Sequence, residues 1–196
     1  GLTDVGQKRD HNEDDFAVAD AQGVFIVCDG MGGHASGEVA SRMTVEHSVD
    51  FVTQRQKNSA MALPFKVAPD ATEHEAVLSN AIQHANHRVY VAGMKDSKLE
   101  GMGTTIVAMQ AFDDYFVVAH VGDSRVYCWN ATAGLTQVTR DHSLLNHKID
   151  QGELKTKAEI QAFKQGNIIV RAIGLKDYVR PEVQTVARDP GDLFLL

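Results

Sequence analysis

Apolar residues fall in short, dense runs separated by turn residues, and the spacing of the runs predicts the elements. Residues 24–28 (VFIVC) are continuously apolar between Gly23 and Asp29, the pattern of a strand covered on both faces. Residues 16–19 (FAVA) form a shorter run, joined to the first through Asp20-Ala21-Gln22-Gly23, so a hairpin is expected. Residues 1–6 are read as a further strand leading to a turn. Residues 104–112 and 115–121 predict a second hairpin about Asp113-Asp114, and residues 126–129 another strand. Helical spacing appears in two places. Residues 38–56 carry apolar positions at Val39, Met43, Val49 and Val52. Thr72-Glu73-His74-Glu75 has the form of a capping box before a stripe of Leu78, Ala81, Ile82, Ala85 and Val89 that ends near Gly93. Residues 58–70 are an irregular connection, and residues 144–165 are polar and helix-prone around Gly152. Strands this apolar need cover on both faces, which points to two stacked sheets with helices outside.

Composition narrows the class. A chain of 196 residues suits one domain with a sizeable core. The net charge of -7, with no basic cluster, argues against a nucleic-acid binder. No apolar run is long enough to span a bilayer and no signal peptide is read, so a cytoplasmic protein without a membrane span is expected. The two cysteines, Cys28 and Cys128, each lie in an apolar run and are read as buried reduced thiols. His84 and His87, one helical turn apart, are read as surface polar residues.

The chemistry gathers around Asp29. This carboxylate ends an apolar strand and is followed by Gly30, Gly32 and Gly33, which let backbone approach a ligand closely. Ser36 can cap the next helix, with Glu38 in its first turn. No Lys-Ser/Thr follows the glycines, so this is not a P-loop, and Ser36 lacks the glycine two positions before it that a nucleophile elbow needs. Upstream lie Arg9, Glu13 and Asp14. If residues 16–19 and 24–28 pair, Glu13 and Asp14 come to rest beside Asp29. Clustered carboxylates repel unless a cation or a proton relieves them, and oxygen-only ligands favour magnesium or manganese. The competing reading is a solvated loop with surface ion pairs.

These residues resemble the signature motifs of the metal-dependent protein phosphatases, the PPM or type 2C serine/threonine family, in its bacterial branch. The resemblance is carried by Arg9-Asp10-His11-Asn12-Glu13-Asp14 and by Asp29-Gly30-Met31-Gly32-Gly33-His34 with Gly37-Glu38. It continues, in the family's order, through Gly101-Met102-Gly103-Thr104-Thr105, Val121-Gly122-Asp123-Ser124-Arg125, Thr139-Arg140-Asp141-His142-Ser143 and Arg171-Ala172-Ile173-Gly174. It implies a four-layer αββα sandwich of two antiparallel sheets flanked by helices, an α+β fold in one domain over residues 1–196, with residues 144–165 as a flap.

It also implies a centre of two manganese or magnesium ions. Asp29 would bridge them, Glu13 and the Gly30 carbonyl would hold one, Asp14 would orient the attacking water, and Arg9 would bind the substrate phosphate. Asp123 matches the position that helps hold a third, weaker ion; its alternative role is to stabilise its own turn. The implied activity is hydrolysis of phosphoserine and phosphothreonine in proteins by a monomer, opposed by a cognate serine/threonine kinase. Two departures matter. Many eukaryotic members carry a histidine, a proposed general acid, where this chain has Met31, so the leaving-group acid is unassigned and His34 is a candidate by proximity. The sequence also stops at Leu196, before a Ser-Asp-Gly motif and an Asp-Asn pair whose aspartates complete one metal site in the family. A truncated sandwich lacking its C-terminal elements is therefore expected. The competing functions are a non-catalytic phosphoprotein-binding regulatory module and, more weakly, a hydrolase of small phosphate esters.

Overall fold

A computed structural model describes residues 1–32 and 36–196. In chain order the strands are β1 (Asp14–Ala19), β2 (Val24–Met31), β3 (Gly103–Thr104), β4 (Ile106–Ala111), β5 (Tyr115–Val121), β6 (Tyr127–Asn130), β7 (Gly134–Gln137), β8 (Glu182–Ala187) and β9 (Leu193–Leu195). The α-helices are α1 (Ser36–Lys57), α2 (Glu73–Lys95), α3 (Leu144–Asp150) and α4 (Lys157–Ala162). The larger sheet runs β1-β2-β4-β5-β8, with β3 attached to the end of β2, and the smaller runs β7-β6-β9; every pairing is antiparallel.

The apolar runs are covered on both sides, and their alternation sorts them into two cores. Val24, Ile26 and Cys28 of β2, Ile106 and Ala108 of β4, and Val117, Ala119 and Val121 of β5 face the layer of α1 and α2. Their neighbours Val107, Met109, Phe116 and Val118 face the other way, with Phe25, Val27, Val126 and Phe194 between the two sheets. A side-chain period of two fixes this division. The capping box of α2 forms as expected, and Leu78, Ala81, Ile82, Ala85 and Val89 are fully buried. Truncating Ile82 to Ala would cost about 2–5 kcal/mol.

Four expectations need correction. Residues 1–6 form no strand: they lie exposed, with no ladder partner among the described residues. The apolar positions picked for α1 are mostly its flanks. Val52 is buried, but the inward face is otherwise Ala40, Ser41, Thr44, Val45, Ser48 and Phe51, small residues that let the helix lie close to the sheet. Cys128 is only partly buried, and both cysteines are free. His84 is half-buried against Phe51 and edge-on to His47, while His87 is exposed.

The predicted flap divides at Gly152 into α3 and α4, neither of which buries a residue. On the outer face of the smaller sheet Trp129, Leu135, Leu193 and Leu195 are exposed. A covering layer of helix is thus present on the larger sheet alone among the described residues. Among the described residues no helix is long and apolar enough to cross a membrane.

Candidate metal centre

The first hairpin does what its sequence requires. Asp14 and Asp29 stand directly opposite one another in the β1–β2 register, and the Gly30 N–H donates to the Glu13 carbonyl at 3.1 Å, which continues the ladder past them. The turn into β1 is set by Asn12, whose Oδ1 accepts from the Asp14 N–H at 3.0 Å. From above, Ser41 of α1 donates its hydroxyl to the same Glu13 carbonyl at 2.6 Å. Three chain segments therefore converge on one patch of backbone.

Glycine is needed at two points of that convergence. A Cβ on Gly30 would strike the carbonyl oxygens of Glu13 and Gly37. A Cβ on Gly37, in the first turn of α1, would lie 2.8 Å from Oε1 of Glu13 and 2.8 Å from the Met31 nitrogen. The Glu13 carboxylate is thus pressed against the start of α1, with the Gly30 backbone beneath it. This is a cradle of oxygen atoms walled by bare backbone.

Electrostatics show which charges meet there. The pKa of Asp29 is pushed up from 3.8 to about 6, first by burial, then by the charge of Asp14 and a hydrogen bond with its carboxyl; Asp123 adds to the rise and Arg9 opposes it. Asp14, Asp29, Asp123 and Arg9 therefore share one field, although they come from the loop before β1, two strands and a later turn. Two carboxyls in hydrogen-bonding reach must share a proton or a cation. Asp123 is itself shifted upward, chiefly by burial.

The turn bearing Asp123 is anchored on two sides. The Gly122 N–H donates to Nδ1 of His142 at 3.1 Å, and the His142 N–H returns to the Gly122 carbonyl at 2.9 Å. On the other side Oγ1 of Thr105 lies 2.6 Å from Oγ of Ser124. Arg125 closes the turn through a two-pronged pair with Asp141, at 2.8 and 2.6 Å.

Among the described residues, the group whose ligand atoms all lie within 4.8 Å of one another is His120, His142 and Glu182, not the carboxylates around Asp29. Its hydrogen bonding does not suit a cation. The Gly122 N–H occupies Nδ1 of His142, and Nε2 is already shared between protein groups, facing Glu182 at 3.3 Å. The Arg171 guanidinium also stands 2.9 Å from Nε2, a positive charge where an ion would sit. Burial, His120 and Arg171 together hold the pKa of His142 down at about 4. This cluster braces the Asp123 turn. Its histidines look ordinary in the sequence, because the contacts that define them span 20 to 40 residues.

Of the residues singled out from sequence, Glu13, Asp14, Asp29 and Gly30 come together at the hairpin end, with Arg9 and Asp123 felt there electrostatically. Glu38 lies in the first turn of α1, while the helix starts at Ser36 itself, so the capping position and His34 fall outside the described residues.

Comparison with known proteins supplies the family. The model of the family described as "Protein phosphatase 2C" matches residues 6–168. Protein phosphatase PhpP of Streptococcus pneumoniae is 33% identical over 198 residues, spanning 100% of this chain and 75% of that protein. The crystal structure of the Mycobacterium tuberculosis serine/threonine phosphatase PstP/Ppp superposes with a TM-score of 0.78 at 29% identity, covering 97% of this chain and 73% of that one. A structure of the catalytic domain of the serine threonine protein phosphatase PstP in complex with 2 manganese ions gives a TM-score of 0.71 at 27% identity, covering 97% and 72%. With the hairpin carboxylates, the glycine cradle and the stacked antiparallel sheets in agreement, the chain is a member of the protein phosphatase 2C family.

Proposed function

We propose that this chain hydrolyses phosphoserine and phosphothreonine in proteins with the help of manganese or magnesium, and so reverses the work of a serine/threonine kinase. The observation that carries the reading is the Asp14–Asp29 pair, set face to face beside a glycine-walled Glu13. A cluster so reluctant to ionise fully is relieved by divalent cations, and its donors are all oxygen. The residues present therefore fit such ions. Asp29, Glu13 and the Gly30 carbonyl would hold such ions at the hairpin end, and Asp123 would help hold a further, weaker one.

Bound ions of this kind acidify water and offset phosphoryl charge. The rest of the task falls to side chains. Arg9, exposed on the loop before β1, offers a planar fork of donors to the phosphate. Asp14, across from Asp29, accepts a hydrogen from the attacking water and aims its lone pair at phosphorus. Met31, half-buried at the end of β2, has no proton to give, so protonation of the leaving oxygen falls to another group.

The test is turnover of a phosphothreonine peptide with manganese, with magnesium and after chelation. Turnover restored by metal and abolished by chelator is the expected result. Tight phosphopeptide binding without turnover under every metal condition would instead favour a regulatory module.

A further inference from the structure

The two carboxylates that the proposed function sets at neighbouring ions, Asp29 and Asp123, belong to segments with no ladder of their own between them. β2 and β5 are separated by β4 in the sheet. What joins their ends is Thr105, the residue between β3 and β4, which is fully buried.

Thr105 grips Asp29 at both of its backbone polar groups. Its N–H donates to the Asp29 carbonyl at 2.9 Å, and its Oγ1 accepts from the Asp29 N–H at 3.0 Å. Thr104 adds its hydroxyl to the same carbonyl at 2.9 Å. On its far side Thr105 meets the Asp123 turn twice. Oγ1 lies 2.6 Å from Oγ of Ser124, and Cγ2 sits only 2.6 Å from where a Cβ on Gly122 would be, a glycine held at φ +110°. The direction of the hydroxyl pair follows from burial. If Ser124 donated, the Thr105 hydrogen would be stranded in a fully enclosed place. With Thr105 donating, every enclosed group is satisfied, and the half-exposed Ser124 keeps its hydrogen for solvent.

We infer that Thr105 and Ser124 are positioning residues: one hydrogen-bonded chain, Asp29 N–H to Thr105 to Ser124, fixes the separation of the Asp29 and Asp123 carboxylates and thereby the affinity for the cation that depends on Asp123. This rests on the metal-dependent reading above. Neither side chain touches substrate; each acts through the carboxylate beside it.

The experiment compares wild type, Thr105→Val, Thr105→Ser, Ser124→Ala and the Thr105→Val/Ser124→Ala double variant by manganese calorimetry, metal-free melting temperature and phosphothreonine-peptide kinetics. Thr105→Val keeps the shape without the hydroxyl, and Thr105→Ser keeps the hydroxyl. Thr105→Val and Ser124→Ala should each weaken the weaker manganese site about tenfold, as loss of a ligand's supporting hydrogen bond commonly does. The double variant should be no worse than Thr105→Val, because both break the same chain. Thr105→Ser should stay within about twofold of wild type, since the supporting hydrogen bond is kept. Half-maximal activity should need more manganese while the peptide KM holds. Ser124→Ala strands the enclosed Thr105 hydrogen and should melt only about 2–4 °C below wild type when metal-free, so it stays folded and keeps the test alive if Thr105→Val folds poorly. Manganese isotherms of Ser124→Ala and Thr105→Val that superimpose on wild type, or losses that add in the double variant, overturn the inference alone. A wild type that neither binds manganese nor turns over overturns the proposed function, and this coupling with it.

Discussion

Replacing Asp29 by Asn should make the metal-free protein more stable while destroying its function. The folded state holds the Asp29 proton up to about pH 6, against 3.8 for a free carboxyl, so ionising this group works against folding. Because the folded pKa is the higher one, the cost is absent below about pH 4. It grows as pH rises and is complete above pH 6. At about 1.4 kcal/mol per pKa unit the shift corresponds to about 3 kcal/mol. Asp29 reaches solvent, however, and screening reduces what is recovered, so about 1 kcal/mol is the working figure. For a chain of this size that is a rise of about 2–4 °C in Tm at pH 8, and almost none at pH 4. Manganese should then raise the Tm of wild type, by preferential binding to the folded state, and leave Asp29→Asn nearly unmoved. Thermal melts at the two pH values, with manganese and with chelator, decide it. An Asp29→Asn protein that melts below wild type in chelator at pH 8 would refute the reasoning, as would an undiminished manganese shift.

Three further outcomes are expected. Arg9→Ala should raise KM for phosphopeptide by about tenfold or more with kcat largely kept, since a charged hydrogen bond of about 1.5–3 kcal/mol is lost from ground and transition states alike; a fall confined to kcat in steady-state kinetics would count against that role. Gly37→Ala gains helix propensity of about 1 kcal/mol but drives a methyl against Glu13, so manganese affinity measured by calorimetry should fall even if Tm does not, and unchanged affinity would mean the cradle is looser than its contacts indicate. His142, 7% exposed and held near pKa 4, is neutral in the folded state, so stability present above about pH 6.5 should decline by up to about 3 kcal/mol as pH falls toward 4. Its ring resonances should not titrate between pH 8 and 5.5, and an NMR midpoint near 6.5 would rule this out.

The carboxylate pair was legible because its determinants are local. A turn at residues 20–23 and two short apolar runs fix the register, and register alone sets Asp14 against Asp29. The inward face of α1 was not legible. Ser41, Thr44 and Ser48 are chosen for their size, and a serine hydroxyl bonded to a carbonyl 28 residues earlier leaves no periodic trace. Nor were Thr105, His120 and His142 marked as structural partners of the Asp123 turn, because a threonine or histidine within or beside an apolar strand carries no sign of what lies across the sheet. Residues 1–6 hold strand-compatible Leu2, Thr3 and Val5, but a strand also needs a neighbour with free backbone groups, and sequence does not show where one is.

Glu75 divides its carboxylate between two masters. Oε2 closes the capping box of α2 with Thr72, and Oε1 accepts from the Thr185 hydroxyl on β8, a residue 110 positions later. The box is complete within four residues, so α2 can start before the late strand exists. When β8 arrives at the edge of the sheet, it finds an acceptor already oriented by the helix start. The same side chain therefore serves both as a local start signal for α2 and as a mooring for β8, the last strand of the large sheet in chain order among the described residues. Loosening that mooring should leave the rate of folding nearly unchanged and act mainly on how quickly the sheet edge lets go.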